Sequence, residues 1–333
     1  MSQDGGSTIR DVAERAGVSI ATVSNLINGT KFVSPELADR IEAAIVDLGF
    51  VPNRAVRTLR GMRMRVIGLV VPDALNPYFI ELWRNVQRAV GDRGYVVVLC
   101  DTGGDLAAEQ TQLRSLAEMR VQGVLITSVD DSRVDLRALR SAGAKVVLLG
   151  DPKAGSGASS INIDQRSSGY LAMQHLLEIG RRNVVFAGGP RARHLLEDRM
   201  DGAQAAIDDS GLADVTFTRI DSDDPSRFEE NAHVASILAE APHTDGVICA
   251  NDVIAIGLME NFLRRGIRVP DDIAIVGHDD IRFGADSIVR LSTIRQPIAE
   301  IADRACELLL SDDDRAEADH LVLDVELVRR ESS

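Results

Sequence analysis

Apolar residues recur at helical spacing near the start of the chain. Between residues 9 and 16 they lie on one face of a helix. Thr8 precedes this stretch as an N-cap, and Asp11 is placed to complete a capping box. Gly17 follows as a helix-ending glycine, and Ser19 caps a second amphipathic stretch. A helix, a short turn with glycine and a second helix are typical of a helix-turn-helix, whose second helix enters the DNA major groove.

A third helix completes a small N-terminal domain. Ser34 and Pro35 form a helix start, with serine as the N-cap and proline at the first helical position. The apolar face continues to Leu48, and Gly49 ends the helix. The pattern predicts an all-α domain over residues 1–52. The alternative for the first two helices is an ordinary helical core that binds nothing.

After residue 64 the pattern changes to apolar strands that alternate with amphipathic helices. Such alternation indicates a parallel sheet with helices on both faces. It occurs in two similar rounds, so two α/β lobes are expected. Strands are predicted near residues 65–71, 95–100, 123–127, 145–150, 183–188, 215–220, 246–250, 273–277 and 321–328.

The net charge of the 333-residue chain is −14, and it is unevenly distributed. Residues 1–65 carry 9 Lys and Arg against 7 Asp and Glu, whereas the remainder carries 28 against 44. The phosphates of DNA repel the acidic remainder of the chain, so any contact with DNA is expected to be confined to the N-terminal part.

Neither an export signal nor a membrane segment is expected from this sequence. Its N-terminus lacks the basic and apolar regions of a signal peptide, and no run of 18 apolar residues occurs. Cys100, Cys249 and Cys306 are far apart and are expected to be buried thiols rather than disulfides or metal ligands. These features favour a cytoplasmic protein with no metal and no cofactor.

Residues 16–28 follow the pattern A-G-V-S-x-x-T-V-S-x-x-x-N. This run resembles the N-terminal motif of the lactose-repressor (LacI/GalR) family of bacterial transcription regulators. The resemblance implies an all-α helix-turn-helix headpiece and an α/β core of two similar parallel-sheet lobes, like that of periplasmic binding proteins, with three chain crossings. The expected domains are a headpiece (1–52), a hinge helix and linker (53–64), an N-terminal lobe (65–163 and 295–320) and a C-terminal lobe (164–294 and 321–333).

The segment after Pro52 is short and rich in arginine. By pattern alone it is a basic linker, because an isolated helix of this length is marginal in water. In the family this segment is a hinge helix, which folds against its dimer mate on DNA and inserts a leucine into the minor groove. The matching leucine is Leu59, and its flanking arginines suit such a kink. Val56 replaces the usual alanine.

The resemblance assigns DNA contacts to the second helix and to the hinge. Ile20 and Ala21 offer only apolar contacts, for example to a thymine methyl group, and Asn25 suits adenine. Packing in the headpiece core is the alternative role of Ile20. The predicted DNA-binding residues are Ser19, Ile20, Ala21, Thr22, Ser24, Asn25, Asn53, Arg57, Leu59 and Arg60.

The resemblance also implies an effector cleft between the lobes, lined by residues at strand ends. Arg199 matches the family's R-x-x-G effector arginine. Arginine, aspartate, asparagine and glutamine together can donate to and accept from the hydroxyls of a sugar or another polyol. The predicted effector-binding residues are Asn76, Tyr78, Phe79, Asp164, Arg199, Phe228, Asn251, Asp279 and Gln296.

Structural roles remain open for several residues near this cleft. Asp252 is placed to be a helix N-cap, Asp280 to bind backbone amides, and Arg199 to lie on a helix surface. The sequence also departs from the family pattern. His278 stands where tyrosine is usual, and the second lobe lacks a tryptophan, which leaves Phe228 as the candidate for stacking on a sugar.

These features imply a repressor of carbohydrate-utilisation genes that binds a palindromic operator in double-stranded DNA as a homodimer and responds to a sugar. A nucleoside or purine corepressor is the alternative effector. A NAD-type dehydrogenase and a sugar-binding protein without DNA function are the alternative classes. The sequence has no P-loop, no G-x-G-x-x-G and no metal-spaced His/Cys cluster, which favours a protein that is not an enzyme.

Overall fold

The computed structural model describes residues 7–28, 31–50, 64–128, 134–151, 157–188, 194–221, 236–237, 239–311 and 318–333. The chain divides into two compact units, Met1–Met64 and Arg65–Ser333.

Within its described residues, the first unit contains three helices, as the apolar pattern predicts. They are α1 (Ile9–Ala16), α2 (Ile20–Asn28) and α3 (Pro35–Leu48). The capping box at the start of α1 is confirmed, with the Thr8 amide donating to Asp11 Oδ2 at 2.7 Å. Gly17 ends α1 with φ 62°, in the left-handed region that glycine adopts without strain.

The start of α3 differs in its chemistry from the prediction. Ser34 occupies the N-cap position but its side chain makes no capping hydrogen bond, so Pro35 at the first helical position marks this helix start without it. The three helices enclose one small apolar core. Its buried members are Val12, Ala13, Ala16, Val23, Ile41 and Ala44.

The second unit alternates strands and helices. Its elements up to residue 163 are β1 (Met64–Val71), α4 (Pro77–Gly91), β2 (Val96–Asp101), α5 (Leu106–Glu118), β3 (Val121–Ile126), α6 (Arg137–Ser141), β4 (Lys145–Leu149) and β5 (Ser159–Ile163). The second round contains α7 (Gln165–Glu178), β6 (Asn183–Gly188), α8 (His194–Ser210), β7 (Thr216–Asp221), β8 (Gly246–Cys249), α9 (Asp252–Arg264), β9 (Ala274–His278), α10 (Arg282–Ala285) and β10 (Ser292–Arg295). The last elements are α11 (Ile298–Leu310), β11 (His320–Leu323) and β12 (Glu326–Val328).

Two six-stranded sheets result, one in each lobe. The first has the order β11-β5-β4-β3-β1-β2, and the second β12-β10-β9-β8-β6-β7. Neighbouring strands run parallel at β1–β2, β3–β4 and β6–β8, for example, whereas β12 runs antiparallel to β10. The predicted class, an all-α headpiece with two parallel-sheet lobes, is confirmed.

The chain crosses between the sheets three times. It passes from β5 to α7 at Asp164, from β10 to α11 at residues 296–297, and from β11 to β12 at residues 324–325. The prediction of one final strand over residues 321–328 is wrong, because β11 belongs to the first sheet and β12 to the second. The last crossing therefore lies after Leu323, not at residue 320.

Helices cover both faces of the second sheet. On one face, residues of β6, β8 and β9 pack against α9, through side chains such as Ile275 and Phe262. On the other face, Ala274 and Val276 of β9 belong to a core with residues of α7 and α8, such as Met173. This two-sided packing fixes which side of β9 each residue faces.

The three cysteines are buried and form no disulfide, as predicted. Within the described residues, every helix is too short or too polar to span a bilayer.

Candidate functional sites

The N-terminal end of α2 presents a short polar and apolar surface. Ser19 caps the helix, because its Oγ accepts a hydrogen bond from the Thr22 amide at 3.1 Å and lies 2.8 Å from Thr22 Oγ1. Ser19 and Ala21 are exposed, whereas Ser24 and Asn25 are half-buried further along the helix. The six residues predicted on α2 therefore lie on one short element.

Ile20 is 43% exposed at the first position of α2, so packing in the headpiece core is not its role. An exposed apolar side chain beside a capping serine fits contact with a base edge. Arg15, at the end of α1, forms an exposed ion pair with Asp47 at 2.7 Å. Surface pairs of this kind contribute little to stability.

Four predicted DNA-binding residues and one predicted effector-binding residue lie outside the described residues. They are Asn53, Arg57, Leu59, Arg60 and Phe228.

Three predicted cleft residues are helix N-caps. Asn76 Oδ1 accepts from the Tyr78 amide, Asp164 Oδ1 from the Ser167 amide, and Asn251 Oδ1 from the Ile254 amide. Their caps place the starts of α4, α7 and α9 beside strand ends, where open α/β sheets bind ligands. These side chains thus have a structural function in addition to any contact with a ligand.

Tyr78, Asp279 and Gln296 form a hydrogen-bonded chain, named here the cleft chain. The Tyr78 hydroxyl donates to Gln296 Oε1 at 3.0 Å, and Gln296 Nε2 donates to Asp279 Oδ1 at 2.7 Å. Tyr78 belongs to the first lobe, Asp279 follows β9 in the second, and Gln296 lies at a crossing. The cleft chain therefore joins the two lobes.

Phe79 contributes to this region differently from the polar residues. It is buried in the core of the first lobe, and its ring meets Tyr78 edge to face at 5.1 Å between centroids. Burial raises the pKa of the Tyr78 hydroxyl, so the phenol is neutral and remains a donor.

Asp279 and Asp280 have backbone conformations that are rare for residues with a side chain. Their φ angles are 115° and 54°. The Asp279 amide donates to Ile294 O at 2.8 Å, and the Asp280 carboxylate binds Arg295 and Arg330, each at 2.6 Å. Asp280 therefore forms ion pairs rather than the expected bonds to backbone amides. These contacts hold a strained turn at the end of β9.

Arg199 is buried in α8, so the alternative of a helix-surface residue is wrong. Its Nε donates to Gln165 Oε1 at 2.6 Å and its Nη1 to Ala250 O at 2.8 Å. The glycine of the R-x-x-G motif has a packing role, because a Cβ on Gly202 would lie 1.9 Å from Arg166 O. Gly202 thus lets α8 approach α7 closely.

His278 is buried next to Asp279, with 2.9 Å between its ring Nδ1 and the carboxylate Oδ1 of Asp279. Burial and, to a smaller extent, the positive charge of Arg199 together lower the pKa of His278 to about 4. The electrostatic influence of Arg199 also reaches Tyr78. Arg199, His278 and the cleft chain therefore form one polar cluster.

The N-cap of α9 is Asn251 and not Asp252. The carboxylate of Asp252 is fully buried and accepts hydrogen bonds from Thr293 Oγ1 at 2.6 Å and from the Ile281 amide at 2.8 Å. Burial and the nearby charge of Asp279 raise its pKa well above the usual value. Through the bond to the Ile281 amide, the buried Asp252 carboxylate holds the turn after β9 in place.

Gln165, Asp280 and His278 were not predicted as site residues. Gln165 orients Arg199 from 34 residues away, and no local pattern signals such a contact. The run His-Asp-Asp at the end of an apolar strand was the available signal for His278 and Asp280. Among the described residues, no group of three His, Cys, Asp or Glu side chains is arranged to hold a metal ion.

Two families match the chain. The family described as "Bacterial regulatory proteins, lacI family" matches residues 8–53. The family described as "Periplasmic binding proteins and sugar binding domain of LacI family" matches residues 64–320. The two matches correspond to the helical unit and to most of the α/β unit.

Individual proteins match over nearly the whole chain. The "HTH-type transcriptional repressor PurR" of Photobacterium profundum is 31% identical over 309 residues, covering 91% of each chain. The "Ribose operon repressor" of Halalkalibacterium halodurans is 32% identical over 305 residues, covering 91% of this chain and 89% of that one. The structure of a lac repressor dimer bound to operator and the anti-inducer ONPF is similar, with a TM-score of 0.80 and 26% sequence identity. The match covers 98% of this chain and 99% of that one. These relatives are transcriptional repressors rather than enzymes.

Proposed function

The chain belongs to the LacI family of bacterial regulatory proteins, and from this premise we propose that it represses transcription as a homodimer on a palindromic operator under the control of a small polyol. The compound binds between the lobes as a signal and leaves chemically unchanged. Operator binding requires the protein to share the cytoplasm with the bacterial chromosome.

The observation that carries the proposal for the cleft is the polar cluster at the strand ends. Arg199 supplies a cationic donor, Asp279 a carboxylate acceptor, and Gln296 both a donor and an acceptor. A molecule with several neighbouring hydroxyls can bind such an alternating set. We therefore favour a sugar of pentose or hexose size over an apolar ligand.

A purine or nucleoside is the second candidate effector. One relative at 31% identity is named as PurR, and another at 32% as a ribose operon repressor, so similarity alone does not separate the two classes. The charged donors and acceptors of the cluster favour the sugar. A purine would need an aromatic surface on which to stack. Phe79 is buried in the first-lobe core, which leaves Tyr78 as the aromatic side chain at the start of α4 that could serve.

DNA contact is proposed for the start of α2 and for the hinge segment. Ser19, Ile20, Ala21, Thr22, Ser24 and Asn25 would face the major groove, with Asn53, Arg57, Leu59 and Arg60 contributing from the hinge. Two copies of the headpiece on a symmetric dimer would bind a palindrome, because each half-site meets an identical surface. The acidic α/β unit would stay away from phosphate.

We expect the response to the effector to arise because ligand hydroxyls compete with the hydrogen bonds of the cleft chain. A ligand hydroxyl that binds Asp279 or Gln296 displaces the hydrogen bonds that join the lobes in their present arrangement. The lobes then adopt a different relative arrangement, and this change would be transmitted to the hinge segments of the dimer. Coupling of this kind requires that the ligand prefer one arrangement by about 1–3 kcal/mol.

The proposed function is tested by fluorescence anisotropy on labelled DNA fragments from upstream of the protein's own gene. Pentoses, hexoses, purine bases and nucleosides are added in turn. One compound is expected to change operator affinity by about tenfold or more. A sugar response supports the favoured class, a purine response the second. Failure to bind any fragment at low salt would contradict the proposal.

A further inference from the structure

We propose that His278 is a specificity-determining residue of the cleft, whose Nε2 atom accepts a hydrogen bond from an O–H or N–H group of the bound compound. The proposal rests on the proposed function, because it requires that a small molecule bind between the lobes. It assigns a role to a residue at which this chain departs from the family pattern.

The position of His278 follows from the alternation of β9. Ala274 and Val276 pack with α7 and α8, and His278 shares their side of the strand two residues further on. As the last residue of β9, His278 lies at the carboxyl end of the sheet. There the positive charge of Arg199 on α8 acts on the ring, and Nε2 of Gln296, in the crossing segment, lies 3.4 Å from Nδ1.

The protonation of the ring is set by its neighbour. An ionised carboxylate can only accept hydrogen bonds, so the contact at 2.9 Å with Asp279 Oδ1 places the ring proton on Nδ1. Gln296 Nε2 donates to the same carboxylate at 2.7 Å, so its hydrogen bond goes to Asp279 and not to the imidazole ring. The depressed pKa of His278 keeps the imidazole neutral at physiological pH. Nε2 is therefore a lone-pair acceptor with a fixed direction.

This acceptor is buried and has no hydrogen-bond partner in the described part of the chain. A buried polar atom left without a hydrogen-bond partner destabilises the folded state, so its presence requires an explanation. His278 is 2% exposed and lies within the polar cluster that also holds Asp279, Gln296 and Arg199. A donor on the effector, arriving in the same cluster, would satisfy Nε2.

Such an acceptor selects among compounds. A sugar hydroxyl or a purine N–H can donate to Nε2, whereas an ether or carbonyl oxygen at the same point would face it lone pair to lone pair. A site that hydrogen-bonds one group of its ligand strongly rejects analogues without this group, because the buried partner in the protein is then left unpaired.

Two variants separate the two nitrogen atoms of the ring. In H278N the side-chain amide can take the place of Nδ1 beside Asp279, but nothing reaches the position of Nε2. In H278Q the amide reaches the position of Nε2. His243 lies exposed in a loop, so H243N serves as the control. Calorimetric titration of the full-length proteins uses D-ribose, D-xylose, D-glucose, adenine and adenosine as probes.

H278N is expected to bind the compound that binds the wild type at least about tenfold more weakly, with H278Q and H243N within about threefold. Equal binding by folded H278N would overturn the role of His278 and leave the proposed function intact. Binding of no probe to the wild type would contradict both proposals.

A measurement on the wild type covers the case in which H278N does not fold. In protein labelled with ¹⁵N in its six histidines, the Nε2 resonance that is missing from H278Q belongs to His278. It is expected to show an unprotonated nitrogen that shifts when the compound binds. A proton on Nε2, or an unchanged resonance at saturation, would overturn the proposal.

Discussion

The turn after β9 concentrates several residues in unfavourable states. Asp279 and Asp280 have positive φ angles, and the Asp252 carboxylate nearby is fully buried. His278 is buried as well, and its Nε2 has no hydrogen-bond partner among the described residues. Strained backbone and perturbed titratable groups cluster at functional sites, because binding geometry is maintained there at the expense of stability. Arg295 and Arg330 support this arrangement through Asp280.

The first prediction concerns the pH dependence of stability that His278 causes. The pKa of His278 in the folded protein, about 4, is below the ordinary histidine value of 6.5, so between these values the unfolded chain binds a proton that the folded protein does not. Wild type should therefore lose stability relative to H278N as pH falls from 7 to 4, by up to about 3 kcal/mol. Urea denaturation at several pH values measures the difference.

Other groups near this turn titrate as well, but they are common to both proteins. The raised pKa of Asp252 changes stability with pH in the opposite direction, and it cancels when the variant is compared with wild type. A pH-independent difference between the two proteins would show that the imidazole is not held neutral.

The second prediction concerns Ile20 in the headpiece. Because this side chain is exposed, I20A should leave thermal stability within about 0.5 kcal/mol. Loss of an apolar base contact should weaken operator binding by about 1 kcal/mol or more. Val46, 79% exposed on α3, is the matched control, and V46A should bind as wild type does. Anisotropy titrations that show equal affinity for both variants would remove Ile20 from the interface.

At the scale of the elements, α7 and α8 are packed unusually closely. A Cβ on Gly169 would lie 1.8 Å from Arg199 O, and one on Gly202 would lie 1.9 Å from Arg166 O. Backbone therefore meets backbone at two points, and neither glycine can gain a side chain without separating the helices. The same contact positions Arg199, one turn before Gly202 on α8.

The third prediction follows from this helix contact. G202A should destabilise the protein by about 1–3 kcal/mol or more, because backbone must move to make room for the methyl group. Gly91, at the end of α4, has nothing within 4 Å of an added Cβ, so G91A should be neutral or slightly stabilising. Thermal denaturation of both variants tests the pair. Similar melting temperatures would argue against the close approach.

At the scale of the whole molecule, the two lobes of the α/β unit are joined by more than the three chain crossings. The cleft chain connects Tyr78 at the start of α4 with Asp279 after β9 through the Gln296 side chain. Its members are also the groups that we propose bind the effector. Lobe arrangement and ligand binding therefore depend on the same hydrogen bonds.

The fourth prediction tests this link. Y78F removes the hydroxyl and leaves Gln296 Oε1 without its donor, so unfolding free energy should fall by about 1 kcal/mol. Tyr170 donates to Asp209 at 3.2 Å on the surface, and Y170F should change stability by less than about 0.5 kcal/mol. Chemical denaturation distinguishes the two. Equal stability of the variants would mean that the Tyr78 hydroxyl does not support the lobe arrangement.

The local elements of the fold can be predicted from the amino-acid sequence alone. The capping box of Thr8 and Asp11 and the glycine that ends α1 act within a few residues, so they can be recognised without knowing the fold. The alternation of apolar strands and helices predicted two parallel-sheet lobes for the same reason. The DNA-binding assignment depended on a contiguous motif, and the six contact residues predicted at α2 and its N-cap all lie within that stretch.

Contacts between residues far apart in the sequence become evident only from the folded chain. Tyr78 contacts Gln296 across 218 positions and Arg199 contacts Gln165 across 34, and no pattern of spacing encodes either pair. The final alternating stretch was predicted as one strand, yet β11 pairs with β5 and β12 with β10. Alternation specifies that a strand has two faces, whereas the choice of sheet depends on long-range hydrogen bonding and packing, which a local pattern does not contain.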